Sequence, residues 1–169
     1  MSAVAQTVPQ KTPFQYTRWH ERTIPDHAPP EYPLWRYGTM CQSHQQHNPL
    51  SAGELTALIA SGITPPLGEL RTLIPGPFAT LNALNLEATT SNILWLFRVH
   101  HQHVPESRSP TEVLRVKKIT ERGLIIAIPS GLRFTRIGLL NMWGLDLSVG
   151  DKVVAHQSVA IEVAPDTLK

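Results

Sequence analysis

Cysteine is nearly absent from this chain of 169 residues: Cys41 is the only one. A lone thiol cannot pair within the chain, which excludes a disulfide scaffold. Charge is scarce as well. Charged residues make up 17% of the sequence, below the roughly 25% of an ordinary soluble domain. With 41% apolar residues and a net charge of +2, the chain has material for a core and is not a highly charged disordered protein. No apolar run approaches the roughly 18 residues of a spanning helix. The longest, Asn92 to Val99, is interrupted by Arg98. Met1 to Lys11 lacks a basic stretch followed by an apolar one, so no signal peptide is visible. These absences predict a soluble cytoplasmic protein. Glycine has no period, which excludes a collagen-like chain. A phosphate-cradling loop is missing too: Gly138-Leu139-Leu140-Asn141-Met142-Trp143-Gly144 has the wrong spacing and no lysine.

Proline, by contrast, is abundant, and it is unevenly placed. Residues 1–50 hold seven of the fifteen prolines and six of the eleven aromatics. Such proline density disfavours long helices and central strands. Such aromatic density argues against a solvated tail, because each ring has a large apolar area to bury. The expectation is an extended arm over 14–37, docked on its own domain or on a partner chain, with residues 1–12 disordered. Tyr16, Trp19, Tyr32, Trp35 and Tyr37 are its candidate partner-binding residues.

Residues 51–104 read as a helical subdomain. Ser51-Ala52-Gly53-Glu54 is a capping box, in which the serine oxygen takes an orphan N–H and the glutamate reaches back. Leu55, Leu58 and Ile59 follow at helical spacing, and Gly62 is a plausible stop. Thr64-Pro65 opens a second helix with Leu67, Leu70, Leu73 and Ile74 on its apolar face. Pro75 and Pro77 break it. Phe78, Leu81 and Leu84 suggest a third. Ser91 caps a fourth, although Ile93 to Val99 reads equally as a buried strand.

Past a polar linker at 105–110 the period changes. Val113 to Ile119, Leu124 to Ile128, Leu132 to Ile137, Lys152 to His156 and Val159 to Val163 read as short strands. A helical turn is expected at Gly138 to Trp143. The fold class is therefore α+β: a proline-rich aromatic arm (1–50), a small helical subdomain (51–104), and a C-terminal small β-barrel or swapped-hairpin sheet (111–165).

One family shares this C-terminal order. Val116-Lys117-Lys118-Ile119 is a basic strand, Arg122-Gly123 a turn, and Ile126-Ala127-Ile128-Pro129 an apolar strand ending in Ile-Pro. Arg133 follows, then Gly144-Leu145, Gly150-Asp151-Lys152-Val153 and Ala160-Ile161-Glu162-Val163. The stretch resembles the AbrB/MazE type of swapped-hairpin DNA-binding domain, and is similar to the SymE-like variant around Arg133 to Val153. The resemblance covers about 50 residues. It implies an intertwined homodimer that holds DNA through Arg115, Lys117, Lys118, Arg122 and Arg133.

Charge placement points the same way. Between residues 108 and 136 seven basic side chains face only Glu112 and Glu121, a net +5 within a +2 chain. A concentrated basic face attracts phosphate through counterion release. Arg115, Lys117, Lys118 and Arg122 would contact phosphates, with Arg133 and Arg136 candidates for base edges. Strand alternation, however, puts Lys118 on the face opposite Arg115 and Lys117. The bland reading is a solvated sheet face.

Other signals are weaker. Cys41, His44, His100 and His103 have the ligand types and two-residue gaps of a zinc site, though no pattern joins the two clusters. No other cofactor is suggested. Cys41 lacks an orienting group that would mark a nucleophile, and Asp26-His27 and Glu31 lie in the proline-rich arm, a poor platform for a precise site. The leading expectation is a non-enzymatic DNA- or nucleic-acid-binding regulator acting as a dimer. An assembly factor using the aromatic arm is second, and a small enzyme with a pocket between helices and sheet third.

Overall fold

The computed structural model describes residues 14–15, 22–39, 51–101, 111–129 and 135–168. Its helices are short and mostly begin at prolines or hydroxyl caps. Helix α1 (Glu31–Pro33) widens into a π-helical turn, Leu34–Gly38. This part of the expected extended arm is therefore helical. Its prolines explain why: Pro29 and Pro30 lend their carbonyls to the Tyr32 and Leu34 N–H groups, and a first turn makes no use of proline's missing donor. Helix α2 (Ala52–Ala60) starts at the Ser51–Glu54 capping box, which forms as the sequence suggests. Helix α3 (Leu67–Leu73) gives way to α4 (Pro75–Ala83), where Pro75 starts a helix rather than only ending one. Helix α5 (Thr90–Trp95) is capped by the Thr89 side chain instead of Ser91, and widens into a second π-turn, Leu96–His100. Its helical form settles the ambiguity of that apolar run.

The two π-turns face one another. The Tyr37 and Phe97 rings stack at 5.0 Å and 12°. Gly38 permits close approach on the other side of the first turn. A Cβ there would lie 2.8 Å from Ile74 Cδ1 and 3.2 Å from Pro77 Cγ.

Strands β1 (Phe14–Gln15) and β2 (Ile63–Thr64) form a small antiparallel pair. The main sheet has five antiparallel strands: β3 (Thr111–Ile119), β4 (Ile125–Pro129), β5 (Ile137–Leu139), β6 (Lys152–His156) and β7 (Val159–Val163). Their order is β5-β4-β3-β6-β7. The third strand of this set sits later than the sequence pattern suggests, because Gly138 and Leu139 pair with β4 instead of starting a helical turn. The sheet curls until its edges meet, where the Leu140 N–H donates to Ser158 O and its carbonyl accepts from Ala160 N. At the other end of β7, Arg22 to Ile24 lie alongside and bond to Glu162 and Val163. Short, covered edges of this kind resist pairing with other chains.

Each face of the sheet buries a core. Leu114, Val116, Ile125, Ala127, Leu139 and Val153 line the inside of the curl, closed by Leu145. Val154, Val159 and Ile161 look the other way and join Ile24, Tyr37, Leu70, Leu81, Ile93 and Phe97. Arm, helices and sheet thus share one core, and the divisions at 50 and 104 do not separate independent ones. Trp143 packs against both cores.

Two β-bulges interrupt the regular alternation of side chains. One falls at Lys117, between the pairs Val116↔Ala127 and Lys118↔Ile126. The other falls at Ile161, between Val154↔Glu162 and Ala155↔Ala160. A bulge inserts one extra residue and changes which face the next side chains use.

Candidate functional site

The bulge at Lys117 overturns the split expected for the basic strand. Paired residues share a face, and Arg115 pairs with Ile128 while Lys118 pairs with Ile126, two residues away on β4. Arg115 and Lys118 therefore lie on one face. Arg115 also pairs across to Lys152 on β6, which adds a third cation. Glu112, the acidic residue of β3, lies on the opposite face with Leu114. Beyond the helical layer, Arg115, Lys117 and Lys118 are exposed and Lys152 is half-buried. Ile126 and Ile128, also half-buried, form an apolar strip beside them on β4.

Arg122 is exposed in the turn between β3 and β4, and Arg136 is exposed one residue before β5. Arg133 lies outside the described residues. Among the described residues Lys117, Lys118, Arg122, Arg136 and Lys152 make no ion pair. Arg115 reaches the Gly150 carbonyl at 3.3 Å, which steadies its side chain. Lys152 was hidden from sequence reasoning because only the strand register brings it beside Arg115.

The aromatic arm residues go elsewhere. Tyr32, Trp35 and Tyr37 are 5%, 2% and 0% exposed and belong to the chain's own core. Tyr16 and Trp19 lie outside the described residues. The ring of Trp35 meets Trp143 edge-on at 6.2 Å.

Of the candidate metal ligands, Cys41, His44 and His103 lie outside the described residues. His100 sits between Trp95 and His101, at ring distances of 5.2 and 6.2 Å. No group of three or more potential ligands converges among the described residues. A different pair of histidines does meet. The His101 ring lies 5.0 Å from Phe97 and 5.9 Å from His156, a fully buried residue whose Nδ1 is 3.0 Å from Thr111 Oγ1. Burial pushes the His101 pKa down, and His100 adds to this. The bond from its Nδ1–H to the Leu96 carbonyl acts the other way. A histidine held neutral in the fold stabilises it above the ordinary value of about 6.5 and loses that contribution as pH falls below it. The melting midpoint should accordingly drop between pH 7 and pH 5, and His101→Phe should flatten that part of the profile. An unchanged slope in the variant would remove His101 as the cause.

Sequence reasoning also missed the most connected polar group, Glu162. It is completely buried on β7. Arg98 grips it with Nε at 2.8 Å and Nη2 at 2.7 Å, the Ile24 N–H donates at 2.6 Å, and the Tyr37 hydroxyl donates as well. Four donors match the four acceptor positions of a carboxylate. Arg98 Nη2 also donates to Ile24 O. Burial disfavours the Arg98 charge, yet the Glu162 contacts outweigh it and hold its pKa above the ordinary value. Desolvation first, and then the neighbouring Glu162 charge, hold the Tyr37 hydroxyl protonated, well above its ordinary pKa. The network links residues 24, 37, 98 and 162, so it ties the start of the fold to its last strand. Its chemistry is structural: every partner is satisfied within the chain.

No helix is long and apolar enough to cross a membrane among the described residues. No protein-family model, curated protein or solved structure matches the chain.

Proposed function

We propose that the chain is a nucleic-acid-binding protein that holds phosphates on the bulged sheet face through Arg115, Lys118 and Lys152, flanked by Lys117 and Arg122. The single observation that carries this reading is the bulge at Lys117, which gathers cations that simple alternation would divide. Bulges commonly re-aim side chains beside functional sites. Phosphate contacts of this kind give affinity and register, while base reading would fall to Arg133 and Arg136. The resemblance to swapped-hairpin DNA-binding domains supports the same end of the chain. It also implies a homodimer, in which two such faces would act together. The reading of the arm as a partner clip is less favoured, because Tyr32, Trp35 and Tyr37 already fill the core.

Fluorescence anisotropy with duplex and single-stranded DNA across a salt series tests the proposal. Three neutralised phosphates give a log–log slope of about −3 for duplex and about −2 for single strands. Binding that is undetectable at low salt, or flat as salt rises, contradicts it.

A further inference from the structure

The end of helix α4 builds one wall of a cleft. Asn85 takes a left-handed φ of 55°. Its N–H donates to Asn82 O at 3.0 Å, and the Leu86 N–H donates to Leu81 O at 2.9 Å. This is a Schellman ending, which turns the chain back onto the last turn of the helix. Leu86 thereby lines a cleft with Leu81 and Phe78 of α4 and Leu67 of α3. The loop that follows is fixed in turn: Glu87 O accepts from the Thr89 N–H at 2.8 Å and from Asn92 Nδ2 at 2.9 Å. The cleft measures about 350 Å³, near the lower end of small-molecule sites. Phe78 and Leu81, 8% and 1% exposed, give it an apolar floor. Two opposite charges line it as well, Arg71 from α3 and Glu87 from the loop. The Arg71 guanidinium carbon lies 4.6 Å from the centre of the Phe78 ring, a contact that steadies a flexible cation over the apolar floor. Both charged residues are exposed. Among the described residues neither forms an ion pair, with the other or elsewhere.

We infer that this cleft binds a small apolar amino acid in its zwitterionic form. The ligand's carboxylate accepts from the Arg71 guanidinium, whose planar fork of N–H donors suits it. Its ammonium donates to the Glu87 carboxylate, and its side chain rests on Phe78, Leu81 and Leu86. The volume matches a single residue such as leucine rather than a longer peptide. The inference is independent of the basic sheet face, because the cleft lies in the helical layer.

A chemical-shift titration of the isotope-labelled full chain with L-leucine provides the test. The backbone amides of Leu67 to Arg71, Phe78 to Asn82 and Leu86 to Thr89 should shift together and saturate. A dissociation constant on the order of 1 mM is expected for so small a ligand in an open cleft. Isocaproate lacks the ammonium group of leucine, and isopentylamine lacks its carboxylate. Each should bind about fivefold more weakly, the worth of one exposed ion pair. Arg71→Met keeps an alkyl stem over Phe78 and removes the charge. It should weaken leucine about fivefold and leave isopentylamine unchanged. Glu87→Gln should weaken leucine equally and leave isocaproate unchanged. Both positions are exposed, so the two variants should fold like the parent. No shift at these amides at about 10 mM leucine overturns the inference. So does an affinity for isocaproate or isopentylamine equal to that for leucine, or an unchanged affinity for leucine in either variant.

Discussion

Replacing Glu162 by alanine should lower the free energy of unfolding by about 3–5 kcal/mol, the usual consequence of removing one partner from a buried ion pair. For a chain of this size that is a fall of about 10 °C in the melting midpoint. The loss has three sources. The Arg98 guanidinium is left in the interior without its bidentate partner, the Tyr37 hydroxyl loses its acceptor, and so does the Ile24 N–H. Asp26 does not rescue Arg98. Its carboxylate lies 3.8 Å from Nη1, and its side chain is 89% exposed to water that screens the contact. The paired substitution Glu162→Leu with Arg98→Met should cost less than Glu162→Leu alone, because no buried charge is left without its partner, although the Tyr37 hydroxyl and the Ile24 N–H still lose their acceptor. Removing both charges also removes the desolvation they require. Urea unfolding of the two single variants and the double variant measures the coupling directly. A single-variant loss below about 1 kcal/mol would mean that the network holds little of the fold together.

The same pair shows what the sequence offers and where it stops. Arg98 interrupts one apolar run, Ile93 to Val99, and Glu162 interrupts another, Val159 to Val163. Opposite charges, each alone in an apolar stretch, are a signal for a buried pair, since neither is stable there unpaired. Nothing in the order of residues says which runs will touch across 64 positions. Local features are different. The Ser51–Glu54 capping box is legible because both partners lie within one turn. The α+β class is legible because the apolar period changes near residue 111. The helical form of 31–38 is less so, because proline frequency suggests an extended chain, whereas proline position allows a first turn.

The basic face occupies a middle ground. Its charge excess is visible in composition, and most of its residues can be named from the sequence. Its geometry is not, because a bulge depends on the partner strand. Alternation counted along β3 alone assigns Lys118 to the wrong side, and Lys152 enters only through its register with Arg115.

Reversing two charges on that face should have the second large effect. Arg115→Glu with Lys118→Glu removes two phosphate contacts and replaces them with repulsion. Both side chains are exposed, so the fold should persist with a midpoint close to that of the parent. Affinity for a short DNA duplex should fall on the order of 100-fold at about 0.1 M salt, and the log–log salt slope should shrink by about two. A control is needed, because any loss of positive charge weakens attraction to DNA at long range. Arg71→Glu with Thr72→Glu and Asn82→Glu makes the same change in net charge on α3 and α4, at exposed positions away from the sheet face.

The affinity of these two variants, measured side by side with the parent across the salt series, is the most direct test of the basic face as the nucleic-acid site. The sheet-face variant should lose both affinity and slope, while the helix-face variant keeps the slope and most of the affinity. Equal losses in the two variants, or an unchanged affinity in the sheet-face variant, would contradict the proposal.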